Sequence, residues 1–166
     1  MPPCWQLDGG GASGQHGAMP KIDLSTLPVR TESSYPPPHD LPIAGRRAGT
    51  EVARSGGLAG FGAWRVTVEP GGWSSQRHWH SHEDELVVML SGELMLVEEG
   101  VETPMTTGDM AVFPAGNANG HHLVNRTDKP ATFLAVGTDR PDEDVCTYPD
   151  IGMEWRPGAG YVFPGG

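Results

Sequence analysis

The chain has 166 residues, 37% of them hydrophobic, and its 21 acidic against 11 basic residues give a formal charge of −10. Such a length and apolar share suit one modest core with extensions outside it, and the acidic balance, with no basic tract, excludes general nucleic-acid binding. No apolar run approaches the roughly 20 residues of a membrane helix, and the opening MPPCWQLDGGGASGQHGAMP lacks the basic start and apolar centre of a secretory signal, so a cytoplasmic protein without membrane partners is expected.

Residues 1–20 are rich in Gly, Ser and Pro without a periodic apolar face, and disorder is expected there. Met19 precedes PKIDLSTLPV, which reads as the start of a folded protein. From 21 to 60 the prolines of Tyr35-Pro36-Pro37-Pro38 and Leu41-Pro42-Ile43 favour an extended arm over a helix. That arm is expected to lie against a barrel or a partner subunit, and the glycines around Ser55–Gly60 end it. Between 61 and 140 the pattern becomes short β-like runs: 63–69, 76–80, 85–90, 93–98, 110–114, 121–125 and 131–137. The breaks between them, such as Pro70-Gly71-Gly72, Ser91-Gly92 and Thr107-Gly108-Asp109, are turn formers. No run of ten or more residues has a 3.6-residue apolar period, so the expectation is an all-β domain, with 141–166 as a C-terminal extension. Cys4 and Cys146 are too far apart in sequence to suggest a disulfide framework or zinc knuckle and read as ordinary thiols.

Residues 72–92 read GWSSQRHWHSHEDELVVMLSG. A strand over 76–82 would put His78, His80 and His82 on one face, because side chains alternate. Glu85 opens the next apolar strand, whose alternation groups it with Val87 and Met89 on the inward side, so a carboxylate joins the imidazoles across a turn.

The spacing from Gly72 is G-x5-H-x-H-x4-E-x6-G, and GDMAVFPAG follows from Gly108. Together these resemble the two signatures of the cupin superfamily, the second half matched by Pro114, Gly116, His121 and Asn125. The match departs at Asn117-Ala118-Asn119-Gly120, four residues where the pattern most often has two. The wider turn makes His122 a rival to His121, and the His-x3-Asn spacing favours His121. The resemblance implies a jelly-roll barrel, or double-stranded β-helix, of two facing antiparallel sheets. It further implies one divalent metal held by His78, His80, Glu85 and His121, and a homodimer assisted by the arm. Three imidazoles and a carboxylate suit Mn, Fe, Co, Ni, Cu or Zn and leave open positions for water or substrate.

Other residues have plainer readings. His82 lies off the motif and reads as an exposed or supporting residue; Glu83 and Asp84 read as a solvated turn. Gln76 shares the parity of His78, so its amide would meet a substrate oxygen or metal-bound water, with a structural hydrogen bond the equal alternative. Trp64, Trp73 and Trp79 read as packing, His16 and His39 have no role, and Arg65, Arg77 and Arg126 are candidates for an anion contact but not placed. The functional expectation is a metal-dependent enzyme on a small oxygen-rich molecule, with Glu85 and Gln76 as catalytic candidates. A sugar or sugar-phosphate isomerase stands slightly ahead of an iron-dependent dioxygenase, and a non-catalytic ligand-binding or sensor module is the alternative from another class.

Overall fold

The computed structural model describes residues 21–165; the expected disorder of the tail, its Met19 boundary and the reading of Cys4 lie outside them. Twelve strands run in chain order: β1 (Arg47–Glu51), β2 (Phe61–Val68), β3 (Trp79–His80), β4 (Glu85–Ser91), β5 (Glu93–Glu98), β6 (Val101–Thr106), β7 (Met110–Phe113), β8 (His122–Val124), β9 (Ala131–Thr138), β10 (Cys146–Tyr148), β11 (Met153–Arg156) and β12 (Gly160–Val162). Helical structure among the described residues is limited to three short 3₁₀ turns, so no helix there is long and apolar enough to cross a membrane.

The strands build an antiparallel jelly-roll barrel. One sheet has the order β1-β2-β9-β4-β7. Facing it are β12-β11-β10-β3 and β6-β5-β8, joined by bridges pairing His78 with His121 and Trp73 with Val124. Alternating residues fill the space between: Trp64, Val66 and Val68 of β2, Val87 and Met89 of β4, Leu94 and Leu96 of β5, and Phe133 of β9. The β4–β5 turn depends on Gly92, whose φ is +76° and where a Cβ would stand 2.8 Å from that of Ala131, so a larger residue is excluded both by backbone and by space.

Both flanks pack on the barrel. Residues 141–166 are not an extension beside the barrel, because β10 pairs with β3, Cys146 opposite His80, and β11 and β12 continue the sheet. The arm lies against its own chain: Tyr35 and Ile43 join Cys146, Tyr148, Met153 and Trp155 in a second core. Further along it, β1 forms the edge of the five-stranded sheet. Short strands such as β10–β12, broken by Pro149, Gly152 and Gly158, give alternation too few residues to be recognised in the sequence.

The outer face of the five-stranded sheet is unusual for an antiparallel sheet, whose solvent side normally alternates to polar. Leu86 and Val88 of β4 align with Val136 and Leu134 of β9 and with Val112 and Met110 of β7. Met110 and Val112 are 67% and 68% exposed.

Ile43, 1% exposed, fixes the arm on the second core. Ile43→Ala is expected to lower unfolding free energy by about 2–4 kcal/mol, the cost of emptying a buried aliphatic site, measured by urea denaturation.

Candidate metal centre and its surroundings

The site begins with backbone pairing. His78 and His121 exchange both amide–carbonyl hydrogen bonds, the His78 N–H donating at 3.1 Å and the His121 N–H at 2.8 Å. Residues so paired across antiparallel strands project side chains on one face, and the two imidazole centres stand 4.8 Å apart. Glu85, first residue of β4, comes from the opposite sheet, with its Oε2 3.2 Å from His121 Nε2 and 4.0 Å from His78 Nε2. One donor atom from each of the three lies within 4.8 Å of the others.

His80 adjoins this trio. Its ring centre is 5.0 Å from that of His78, and His78, His80 and Cys146 form a second group of donors within the same limit. Of the four expected ligands, three therefore share one cluster and His80 is reached through His78. The thiol of Cys146, fully buried, escaped sequence reading because only the β10–β3 pairing brings it there. Of the neighbouring histidines, His121 is the one that meets Glu85. His122 turns to the other side, where its Nδ1 meets the Ser75 carbonyl and its ring packs edge-on against Trp73.

Each imidazole is oriented by its second nitrogen or by its ring face. His78 Nδ1 donates to the Gln76 carbonyl at 2.9 Å, leaving Nε2 directed at Glu85. His80 Nδ1 donates to Asp144 Oδ2 at 2.7 Å. His121 is stacked on Phe113, the rings 3.4 Å apart and 3° from parallel, and its buried Nδ1 has no hydrogen-bond partner. The four-residue insertion ahead of His121 is tied down by Asn119, which donates to Glu98 and accepts from the Glu99 N–H.

Charge states suit a cation. Burial alone would raise the Glu85 carboxyl, but the hydrogen bond from His121 and the nearby imidazoles of His121, His78 and His80 outweigh it and hold it at about 2. Burial pushes His121 below the usual imidazole range, against the pull of Glu85. At neutral pH the pair is carboxylate and neutral imidazole, the forms that bind a divalent ion. Donors with these charges fit a transition metal, with the second nitrogens of His78 and His80 set by protein acceptors and the His121 ring held by its stack on Phe113. Glu85 thus faces the imidazoles as a carboxylate, the form in which it can accept a cation.

Two sequence readings are corrected, the shared face of His82 and the solvated Glu83. The strand containing His80 ends there, so His82 is exposed and does not share the face of His78. Glu83 is not solvated: it is 2% exposed, its Oε1 accepts from the Arg140 N–H, and its Oε2 lies 3.8 Å from His80 Nδ1. Asp84 is exposed as expected. Gln76 is buried, and its amide donates to the His39 carbonyl at 2.6 Å, which ties the arm to the strand bearing the histidines. Asn125 of the second motif is structural: its amide donates to the Val68 and Lys129 carbonyls and its oxygen accepts from Thr127.

A β barrel of two antiparallel sheets with a His–Glu–His cluster inside is the class that fold and site define. The cupin domain family Cupin_2 matches residues 64–137, and the chain belongs to the cupin superfamily. It is similar to a sugar phosphate isomerase of that superfamily from Silicibacter pomeroyi, with 42% identity, 87% of this chain and 91% of that one covered, and a TM-score of 0.80. A candidate sugar phosphate isomerase from Acidithiobacillus ferrooxidans is 28% identical over 72% of this chain and 78% of that one, TM-score 0.63. The polyketide cyclase of Streptomyces resistomycificus shares the fold at 18% identity, covering 76% and 83%, TM-score 0.61. No curated protein matches.

Asp144 is the test of how His80 is set. It accepts from His80 Nδ1 on one oxygen and from the His82 N–H on the other, so in Asp144→Asn an NH₂ must face one of these donors. That variant is expected to bind divalent metal about 10- to 100-fold more weakly while staying folded, measured by competition with a chromogenic chelator.

Proposed function

We propose that this cupin is a metal-dependent isomerase of a small oxygen-rich metabolite, a sugar or sugar phosphate. The observation that carries the reading is the His78–Glu85–His121 cluster, whose His78 and Glu85 line a cavity of the barrel, in a chain 42% identical to a protein named a sugar phosphate isomerase. His78, His121 and Glu85, with His80 adjoining, would hold one divalent ion. Such an ion would supply Lewis-acid polarisation of a carbonyl in a hydroxy-carbonyl compound.

The chain's own residues do the rest. The Gln76 carbonyl and the Asp144 carboxylate hold the His78 and His80 rings in position, and Phe113 keeps His121 from swinging out of the cluster. Trp64, Val87, Phe133 and Ala135 line the cavity with apolar surface, which keeps bulk water from the oxygens and strengthens the electrostatic contacts made there. Gln76, committed to the arm, acts by positioning.

For the assembly, we propose a homodimer through the outer face of the five-stranded sheet. Leu86, Val88, Leu134, Val136, Met110 and Val112 make it apolar and nearly free of charge, so the same face of a second copy is its fitting partner. Met110→Lys/Val112→Lys is expected to run as a monomer in light scattering where the wild type runs as a dimer.

Elemental analysis of the wild type beside His78→Ala/His121→Ala tests the metal: one transition-metal ion per chain is expected, and its loss in the double variant. Turnover is tested with aldose and ketose phosphates in deuterated water, where isomerisation through a proton transfer leaves deuterium on carbon, and His80→Ala should abolish it with the barrel still folded. Iron in the protein with substrate-dependent oxygen consumption and no isomerisation would overturn the reading in favour of a dioxygenase.

A further inference from the structure

The arm brings one cation to the cavity of the candidate metal centre and a second to the tryptophan that lines it. Arg47 lines that cavity together with Trp64, His78 and Glu85. On β1 it opposes Val68, and Gly49 opposes Val66. Both valines belong to the interior core, so the pairing turns Arg47 and Gly49 inward as well. A Cβ on Gly49 would stand 3.4 Å from the Trp64 ring and 3.7 Å from Arg47 Nη2, so the guanidinium lies over the bare glycine beside the indole. Arg30, the bridge partner of Gly49, sets its Cζ 5.5 Å from the centre of the same ring, within cation–π range.

Two half-buried arginines thus flank Gly49 and Trp64, Arg47 on the cavity wall and Arg30 over the indole, in a chain of formal charge −10. Among the other arginines, Arg77 pairs bidentately with Asp150 on the far side of the His78–His121 strand pair, and Arg65, opposite Leu134 on β9, is on the outer face. Glu85 is turned to His121 and His78. The cavity, about 50 Å³, has room for a few waters, which a single oxyanion group would displace.

We propose that Arg47, together with Arg30, forms an anion subsite that binds the oxyanion end, phosphoryl or carboxylate, of the molecule handled by the His78–Glu85–His121 cluster. A guanidinium presents a planar fork matched to either oxyanion. The proposal deepens the isomerase reading and rests on it for the identity of that molecule; it assigns selectivity for anionic over neutral substrates to a strand outside the matched 64–137 segment.

The test titrates the metal-loaded wild type and Arg47→Gln with inorganic phosphate and, separately, with acetate, by calorimetry at constant ionic strength. Saturable binding to the wild type that weakens at least about tenfold in Arg47→Gln, with metal content unchanged, is expected for loss of a charged hydrogen-bonding group. Arg47→Lys keeps charge and bulk, stands in should the glutamine variant fail to fold, and is also expected to lose affinity because an ammonium lacks the fork. Tighter binding of phosphate assigns the subsite to a phosphoryl group; equal or tighter binding of acetate assigns it to a carboxylate. Equal affinity in the wild type and the folded variants overturns the proposal, as does an absence of saturable binding to the wild type. Anion binding that depends on Arg47 in a protein without isomerase turnover would keep the subsite and remove the isomerase reading, so the two fail separately.

Discussion

The pair of backbone hydrogen bonds between His78 and His121 is the contact on which the rest of this molecule depends. It joins two separately hydrogen-bonded groups of strands, β12-β11-β10-β3 and β6-β5-β8, into one wall facing the five-stranded sheet. It also determines that the two imidazoles leave that wall together, toward Glu85 on the other. Structural closure and donor geometry are therefore the same feature, and a residue disturbing one disturbs the other. The wall is reinforced on both sides, by Asn125 tying its turn to Val68 and by Arg77 reaching the Gly120 carbonyl and Asp150.

Around this centre the molecule divides its tasks. The segment 64–137 that matches the cupin domain carries the donors, while the flanks adapt their surroundings. The arm brings Arg30 and Arg47, and through His39 it holds Gln76. The C-terminal strands bring Asp144 and Cys146 to His80. Because residues outside the matched segment shape the surroundings of the donors, fold membership by itself leaves the reaction open.

Much of the central barrel was legible because β2, β4, β5, β7 and β9 are long enough for alternation and end at turn residues with a defined backbone reason, as at Gly92. His78, Glu85 and His121 were legible through spacing. Glu83 was misread because three consecutive acids normally mark a solvated turn, and nothing local announced that Arg140 would cap one of them and His80 lie beside it. His82 was grouped with His78 because alternation was extended past the strand's true end. Arg47, Asp144 and Cys146 left no signal: their roles come from pairings between β1 and β2 and between β10 and β3, contacts distant in sequence that no local pattern encodes.

The pairing of β10 with β3 also bears on the order in which the protein is made. His78, Glu85 and His121 can assemble once the chain has been synthesised to about residue 138, the end of β9. His80 gains its carboxylate and its strand partner only when Asp144 and Cys146 have followed. In the growing chain His80 is therefore present before the residues that orient it. The same separation that hides Asp144 from a reading of the sequence makes the orientation of His80 depend on the last strands to emerge.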